Sequence, residues 1–529
     1  MIRIFRFAWL AICLVIFAGP LFQLSAEAFH VEADVWDHLR DNLLVPGFFE
    51  TLMFAFGCGI TGLLIGGTWA LLSMFLPRIA PLFHFSMAIL LSLPTYVMGY
   101  LYLSFLDYSG PLQIFLVNNF GDGSRFEPRS LWAAVLTYSL STSPYVYFSV
   151  RAGYSQELRR LLEASQSLGA GLRKSFWRIL WPGLAPWALG GASLITLEAA
   201  ADFGVVDIFG INTLSRVLYR SWGSLFSFGG ASRISLVLFA VCILILLIVS
   251  YLAQPTLQKA EQSSNLDLSQ IFPLGIPLKT LCYLLFALGI FIFNLIPLTL
   301  LFKYAKVSLW RELPWWESMM SSLKISLLSA LVVGSMMAIL YFLWSRPTER
   351  SSNFRGLLDI FTIGYGLPGT LLAVGFYLFT SQILGGSQLS SSVGILLALL
   401  VLLYFTKFSG LMLKGLRSRE KDLPNDLFEA ASSLGSPAKS FCRIELPLFS
   451  PALLLGFFLL FLEVIKELPA ALMIKPFIHP SLALRIHQYA SESDWERASI
   501  YSLVLIGLIA VTMMAVKLVT IVAAKGRRV

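Results

Sequence analysis

Charged residues are scarce in this chain of 529 residues. They make up 13% of it and hydrophobic residues make up 57%, whereas ordinary soluble domains have about 25% charged and roughly 45–50% apolar residues. So little charge leaves too few groups to solvate a globular surface, which excludes a soluble enzyme and a disordered chain. The apolar residues form long runs, not the short alternating segments of an outer-membrane barrel. The composition therefore predicts a polytopic helical membrane protein.

Residues that carry chemistry are also scarce. The five cysteines and five histidines are dispersed, and without a C-x-x-C or Cys/His cluster neither a disulfide framework nor a soft-metal site is indicated. The sequence has no G-x-x-x-x-G-K-[ST], G-x-S-x-G or H-E-x-x-H motif. We therefore expect no catalytic residue, no cofactor and no tightly bound metal in this chain.

Long apolar runs are what the sequence does have. A hydrocarbon core of about 30 Å needs roughly 20 apolar residues to cross it, and this criterion predicts about twelve spans. They lie near 4–24, 48–75, 81–106, 130–152, 183–205, 232–253, 279–302, 318–345, 357–380, 392–414, 448–470 and 498–521. The first run, followed by Ala26-Glu27-Ala28, resembles a signal peptide. It is long for one and has a counterpart near 279–302, so we expect it to be retained.

The net charge of +9 is not spread evenly. Basic residues gather in the segments 151–178 and 414–443 and in the C-terminal tail, whereas the loop 25–47 is acidic. Basic segments between apolar runs follow the positive-inside rule and do not indicate a nucleic-acid partner. The rule places these segments in the cytoplasm together with both termini, as an even number of spans requires.

Two of the basic segments share one pattern. The first is E-A-S-Q-S-L-G-A-G-L-R-K-S-F-W-R-I-L-W-P, which ends at Pro182, and the second is E-A-A-S-S-L-G-S-P-A-K-S-F-C-R-I-E-L-P, which ends at Pro447. Such repetition indicates an internal duplication. Because six spans separate equivalent positions, the repeats are parallel. We expect an all-α integral membrane fold with two six-helix repeats.

The same duplication predicts the organisation of the chain. The first transmembrane repeat is 1–253, a cytoplasmic connector follows at 254–278, and the second repeat is 279–529. Leu93-Pro94 and Leu367-Pro368 also correspond, and the prolines are expected to break their helices.

The repeated segment has a structural interpretation and a functional one. Glu163 can pair with Arg159 or Arg160 on its own helix, and Asp426 with Glu429 fits a capping box. However, a whole pattern repeated in two long loops between equivalent spans favours a docking element, since connections in helical bundles are usually short.

The pattern Glu-Ala-Ala, three residues, Gly and then Ile-x-Leu-Pro resembles the coupling signature of permease subunits in bacterial ABC importers. The first copy departs from it at Ser165 and Trp181, and the second is one residue short before Ile444. The resemblance implies coupling segments at about 155–182 and 418–447, each a short helix with a turn at Gly. The residues that would dock on a separate ATPase are Glu163, Ala164, Gly169, Glu429, Ala430, Ala431 and Gly435.

The resemblance also implies the partners. Two copies of an ABC ATPase would bind ATP and Mg, a periplasmic protein would deliver the substrate, and the chain would lie in a bacterial inner membrane. The stretches Leu197–Trp222 and Phe461–Phe477 resemble ferric-iron permeases. The D-F-G-V-V piece is also similar to thiamine permeases, so a thiamine or polyamine permease is the alternative.

Four carboxylates inside predicted spans are candidates for the translocation path. Glu198 and Asp202 are four residues apart, and Glu463 and Glu467 repeat that spacing. Ionisable residues within spans are costly and usually functional, and hard cations prefer oxygen ligands. Alternatively the acids pair with basic residues and hold a gate shut, and the candidates for that pairing are Lys466, Arg216, Arg220 and Arg485.

Two other classes of protein remain at this point. An ion-gradient-driven secondary transporter needs no ATPase, and in it the basic segments would be incidental. A membrane enzyme or assembly scaffold is disfavoured because no catalytic set clusters in the sequence.

Overall fold

The computed structural model describes residues 2–31, 36–37, 39–253, 267–344, 352–385, 392–421, 423, 441–474 and 480–525. Within these residues the chain is helical and contains no β-strand. This agrees with the predicted all-α class.

The first repeat contains thirteen α-helices in its described part. They are α1 Ile2–Glu27, α2 Val45–Phe75, α3 Ala80–Ser92, α4 Thr95–Leu106, α5 Pro111–Phe120, α6 Leu131–Thr142, α7 Pro144–Gly153, α8 Gln156–Ser167, α9 Leu172–Ser175, α10 Trp181–Ala201, α11 Gly204–Phe209, α12 Leu214–Gly223 and α13 Phe228–Ala253.

The described part of the second repeat contains eleven. They are α14 Ile276–Ile290, α15 Ile296–Tyr304, α16 Leu309–Glu312, α17 Trp315–Trp344, α18 Ser352–Ile363, α19 Gly369–Leu384, α20 Val393–Lys421, α21 Leu446–Ile465, α22 Pro469–Ile474, α23 Leu482–Ser491 and α24 Trp495–Lys525.

Eleven of the twelve predicted spans have long apolar counterparts. In the described residues nine helices are long and apolar enough to cross a membrane, and two bent helix pairs bring the number to eleven. The predicted span 130–152 is instead made of the shorter helices α6 and α7. Pro144 has no N–H to donate to the carbonyl of Leu140, and the hydroxyl of Ser143 donates to that carbonyl at 3.1 Å. The helix therefore breaks at Ser143.

The two bent pairs lie where the sequence predicts helix breaks. The chain turns by 101° between α3 and α4 and by 117° between α18 and α19. Leu93 and Leu367, each directly before a proline, are extended, with ψ of 136° and 133°. Proline disfavours the helical conformation of the residue before it, so this prediction is confirmed.

In the part of the chain that the structure describes, four helices are directly preceded by one wide, π-helical turn, and each of these turns comes before an X-Pro pair. The turns are Arg40–Leu44, Phe176–Leu180, Phe291–Leu295 and Phe441–Glu445. Proline at the second helical position cannot donate to the carbonyl four residues back, which opens the preceding turn. Phe176–Leu180 and Phe441–Glu445 are equivalent in the duplication, so both repeats leave the coupling segment through the same wide turn.

The first span of each repeat packs on the other repeat. Helix α1 packs against α19 of the second repeat, and α15 packs against α4 of the first repeat. Helices α4 and α19 are equivalent in the duplication. A Cβ atom on Gly19 would lie 2.8 Å from the ring of Phe379, and one on Gly289 would lie 1.7 Å from the ring of Trp69. Glycine therefore permits the close approach of α1 to α19 and of α14 to α2, and the two repeats interlock.

The boundaries of the predicted domains remain predictions. Residues 254–266 of the connector lie outside the described residues. The part that follows is anchored to the first repeat, since the N–H of Leu268 donates to the carbonyl of Met74 at 3.0 Å and Leu268 is buried.

Candidate functional site: a cavity between the two repeats

A cavity of about 210 Å³ lies between the repeats and is lined by both of them. Its walls include the two helix breaks at Pro94 and Pro368. All four carboxylates predicted to line a translocation path line this cavity, and they are Glu198, Asp202, Glu463 and Glu467. The duplication thus brings two pairs of acids from distant parts of the sequence to one place.

The acids of the first repeat are held by hydroxyl and amide groups. The hydroxyl of Tyr145 donates to Glu198 Oε1 at 2.7 Å. The hydroxyl of Thr95 donates to Asp202 Oδ1 at 3.3 Å, and the N–H of Val205 donates to Asp202 Oδ2 at 2.9 Å. Within the described part of the chain, neither acid forms an ion pair with a Lys or Arg.

The acids of the second repeat are held by ammonium groups. Lys466 Nζ lies 2.9 Å from Glu463 Oε1, and Lys407 Nζ lies 2.9 Å from Glu467 Oε1. The side chain of Glu467 is only 3% exposed, whereas those of Glu463 and Lys466 are about a quarter exposed, at 24% and 25%. The two pairs thus differ in their access to water.

One acid of each pair also has the same structural role. Asp202 accepts N–H groups at the start of α11, and Glu467 accepts the N–H of Ala470 at 3.2 Å at the start of α22. Acidic side chains satisfy the unpaired N–H groups of a helix start. Glu198 and Glu463, one turn earlier, have no such role among the described contacts.

Both lysines belong to the second repeat alone. With Glu198 matched to Glu463, Lys466 matches Ala201, and with Tyr138 matched to Tyr404, Lys407 matches Ser141. Lys466 was predicted as a possible partner of the acids, whereas Lys407 was not. A lysine inside the predicted span 392–414 was the signal available, because a charge there is costly unless it is paired.

A glycine makes room for the second-repeat pair. Thr95 and Gly369 each follow a Leu-Pro break. A Cβ atom on Gly369 would lie 2.5 Å from Glu467 Oε1 and 3.0 Å from Lys407 Nζ. In the first repeat Thr95 donates to the acid, while in the second the missing side chain lets a lysine reach it.

The arginines considered as partners of the cavity acids bind elsewhere. Arg216 pairs with Asp207 at 2.9 Å, and Asp207 also lies 3.2 Å from His487 Nε2 of the second repeat. Burial raises the pKa of Asp207, but the hydrogen bonds and charges of His487 and Arg216 outweigh it and lower that pKa overall. This cluster connects α11 with α23 and thus links the two repeats.

The first coupling segment is a helix followed by a turn. Helix α8 ends at Ser167, and Gly169 has φ of +76°, a left-handed conformation that favours glycine. Leu158 and Leu162 are buried beneath the helix, whereas Glu163 and Ala164 are exposed. The predicted pair of Glu163 with Arg159 is present, with 2.8 Å between Oε1 and Nε.

Two exposed leucines extend the outer face of this helix. Leu161 is 53% exposed and Leu168 is 87% exposed, so the face offers apolar surface next to Glu163. The coupling residues of the second copy, Glu429, Ala430, Ala431 and Gly435, lie outside the described residues. The docking role of both segments remains a prediction.

The geometry at the cavity does not form a metal cage. Among the described residues no group of three or more His, Cys, Asp and Glu side chains is placed to hold a metal ion. The cavity acids are instead separated into a pair bound to hydroxyl and amide groups and a pair bound to lysines.

Comparison with protein families identifies the class of protein. The family model of the binding-protein-dependent transport system inner membrane component matches this chain twice, at residues 62–260 and 343–527. The chain therefore belongs to this family and is a multi-pass inner-membrane permease with two fused copies of the family domain. The prediction of a two-repeat permease is confirmed, and the alternatives of an ion-gradient-driven transporter and an enzyme lose their support.

A particular relative is similar over most of the chain. The Fe(3+)-transport system permease protein FbpB 2 of Haemophilus influenzae is 23% identical over 432 residues, which are 80% of this chain and 80% of that protein.

Proposed function

We propose that this chain is the permease of a ferric-iron importer and that Glu198, Asp202, Glu463 and Glu467 line the route of the cation. The observation that carries the proposal is the convergence of all four carboxylates on one cavity between the repeats. Carboxylate oxygens suit a hard cation. The similarity to a permease named for Fe(3+) transport supports the choice of cargo.

The cavity suits passage better than storage. A transported ion must leave as easily as it arrives, so its binding has to be weak or divided among sites. Glu463 and Glu467 are already bound to lysines, and Asp202, like Glu467, accepts N–H groups at a helix start. Tight capture of ferric iron belongs to a separate periplasmic binding protein.

The energy for transport comes from other chains in this proposal. Two copies of an ABC ATPase, which bind ATP and Mg, dock on the two coupling segments, while this chain hydrolyses nothing and holds no cofactor. The exposed face of α8 with Glu163, Ala164 and two leucines supports such docking. Both termini lie in the cytoplasm, as the distribution of basic residues predicts.

Alternating access follows from the repeat. In the sequence each predicted coupling segment is followed by a wide turn and a span. The first span, α10, contains Glu198 and ends directly before Asp202, and the second, α21, contains Glu463 and ends two residues before Glu467. Closure of the ATPases would move these spans with their carboxylates and open the cavity to one face of the membrane at a time.

A thiamine or polyamine permease is the alternative for the cargo. Tyr138, Tyr145 and Tyr365 line the cavity together with the acids, and aromatic faces attract organic cations. In that case the carboxylates would bind the cargo by charge alone.

Uptake of radioactive ferric iron tests the proposal. Cells that lack this chain but contain its binding protein and ATPase receive the wild type, Glu198→Gln, or Asp122→Asn as a control. Asp122 is 82% exposed and lies outside the cavity. We expect uptake with the wild type and the control and little with Glu198→Gln. If the wild type restores no ferric uptake, the cargo is wrong, and labelled thiamine and polyamine are tested next.

A further inference from the structure

The charges of the cavity are divided unequally between the repeats. Four carboxylates face two ammonium groups, and both ammonium groups come from the second repeat. At the equivalent positions the first repeat has Ser141 and Ala201. A cation in the cavity therefore meets two acids without a lysine and two acids that already have one.

The lysines are not needed to build the fold at these positions. Asp202 receives the helix-start N–H groups of α11 without any lysine, just as Glu467 receives that of α22 with one. The same backbone arrangement thus forms in both repeats with and without an ammonium group. The function of the lysines has to be sought in the charge that they bring.

The lysines lie where a cation would bind. Each Nζ is 2.9 Å from a carboxylate oxygen, the distance of a charge-assisted hydrogen bond. A cation that binds Glu463 or Glu467 therefore has to compete with the ammonium group for the carboxylate. Both ammonium groups are attached to the chain, so they compete for the carboxylates at a constant high local concentration.

We infer that Lys407 and Lys466 are tethered counter-ions that occupy Glu467 and Glu463 in the empty permease, so that a cation binds first to Glu198 and Asp202. This inference rests on the proposed cation transport. The second-repeat acids take over the cation only as the lysines swing aside, and the lysines then return and displace it. The arrangement prevents four bare carboxylates from trapping a trivalent ion.

Terbium luminescence tests the inference without transport. Tb³⁺ is a redox-inert hard trivalent ion, and nearby tyrosines such as Tyr145 sensitise its emission. The purified chain in nanodiscs of neutral lipid is titrated with Tb³⁺ as wild type, Lys466→Ala, Lys466→Arg and Glu198→Gln. Alanine at 466 reproduces the first repeat, and arginine retains the charge.

We expect Lys466→Ala to bind Tb³⁺ about tenfold more tightly than the wild type, because Glu463 loses its competitor. Lys466→Arg, which retains the charge, should not bind Tb³⁺ more tightly than the wild type, and Glu198→Gln should bind it more weakly. Lys466→Ala should also import ferric iron more slowly, since release becomes harder. Equal Tb³⁺ affinities of Lys466→Ala and the wild type would overturn the inference.

The buried pair needs a variant that leaves no uncompensated charge. Lys407→Ser alone leaves Glu467 nearly buried without its cation, which is costly, so it is compared with the double variant Lys407→Ser/Glu467→Gln. Tighter binding in the single variant, lost again in the double one, supports the role of Lys407. If Lys407→Ser does not fold, Lys466→Ala decides.

The outcomes separate the two proposals. If Glu198→Gln abolishes ferric uptake while the lysine variants neither bind Tb³⁺ more tightly nor slow import, the counter-ion role is wrong and the cation route stands. If the wild type transports no ferric iron and Tb³⁺ binding does not depend on Glu198, the proposed function itself is wrong.

Discussion

The two repeats hold the same pair of acids in different electrical surroundings. In the first, Glu198 accepts from a tyrosine hydroxyl and Asp202 from a threonine and backbone amides. In the second, Glu463 and Glu467 each bind a lysine. Duplication therefore preserved the geometry of the acids while the charge of the two halves diverged. In a pore made from two identical halves, equivalent acids would necessarily have the same charged neighbours.

The largest expected effect is one in which the repeats should behave alike. Glu163→Arg and Glu429→Arg each place a positive charge in a predicted coupling segment. In the proposed mechanism two ATPases act together on these segments, so either change should abolish ferric uptake. Glu163 is exposed, and its surface ion pair is worth only about 0–1 kcal/mol, so insertion should be intact. Uptake and the amount of chain in the membrane are measured together. Normal uptake by the double variant would refute the coupling role.

The next effect should separate the repeats. We expect Glu198→Gln to lower ferric uptake by about a hundredfold and Glu463→Gln by about tenfold or less, differences of about 2.8 and 1.4 kcal/mol. The reason is that, among the described residues, no lysine lies within ion-pair distance of Glu198, whereas Lys466 lies 2.9 Å from Glu463. Initial uptake rates at matched membrane levels provide the measurement. Equal losses would mean that the lysines make no functional difference between the halves.

A lysine introduced into the first repeat should make the charges of the two repeats alike. Ala201→Lys places an ammonium group near Glu198, as Lys466 lies near Glu463, and should lower the affinity for the cation and the rate of uptake by about tenfold. Ala201→Met adds similar bulk without charge and is the matched control. If both variants lose the same activity, steric hindrance and not charge is responsible.

The smallest effect concerns the residue after each Leu-Pro break. Gly369→Thr gives the second repeat the first repeat's residue, and its Cβ would meet Glu467 and Lys407. We expect the free energy of unfolding to fall by about 1–3 kcal/mol, as at other overpacked sites. Thr95→Gly removes one hydrogen bond to Asp202 and should cost about 1 kcal/mol. Thermal unfolding in detergent measures both, and a larger loss from Thr95→Gly would contradict this ranking.

The sequence was sufficient where the duplication repeats a local pattern. The four acids and the two Leu-Pro breaks were predicted from spacing and proline chemistry, and the helix with a turn at Gly169 was implied by the resemblance to the coupling signature. The break at Ser143 within the predicted span 130–152 was not predicted, although Pro144 marks it. A span is recognised by the hydropathy of about 20 residues, and a single proline hardly changes that average.

Other features depend on contacts between distant parts of the chain. Lys407 bears on the site only because α20 brings it to Glu467, 60 residues away in the sequence, and no local pattern shows that. The approach of Gly289 to Trp69 likewise joins the two repeats. Such pairings require the tertiary arrangement of the spans.

The interlocked first spans have a consequence for how the protein is made. Helix α1 leaves the ribosome early, but α19, on which it packs, follows about 340 residues later, which at about 5–20 residues per second is a delay of roughly 15 to 70 s. Until then the face of α1 that packs on α19 in the finished protein contacts lipid or an insertion factor. The first repeat is therefore inserted into the bilayer before its packing is complete, and synthesis of the second repeat completes it.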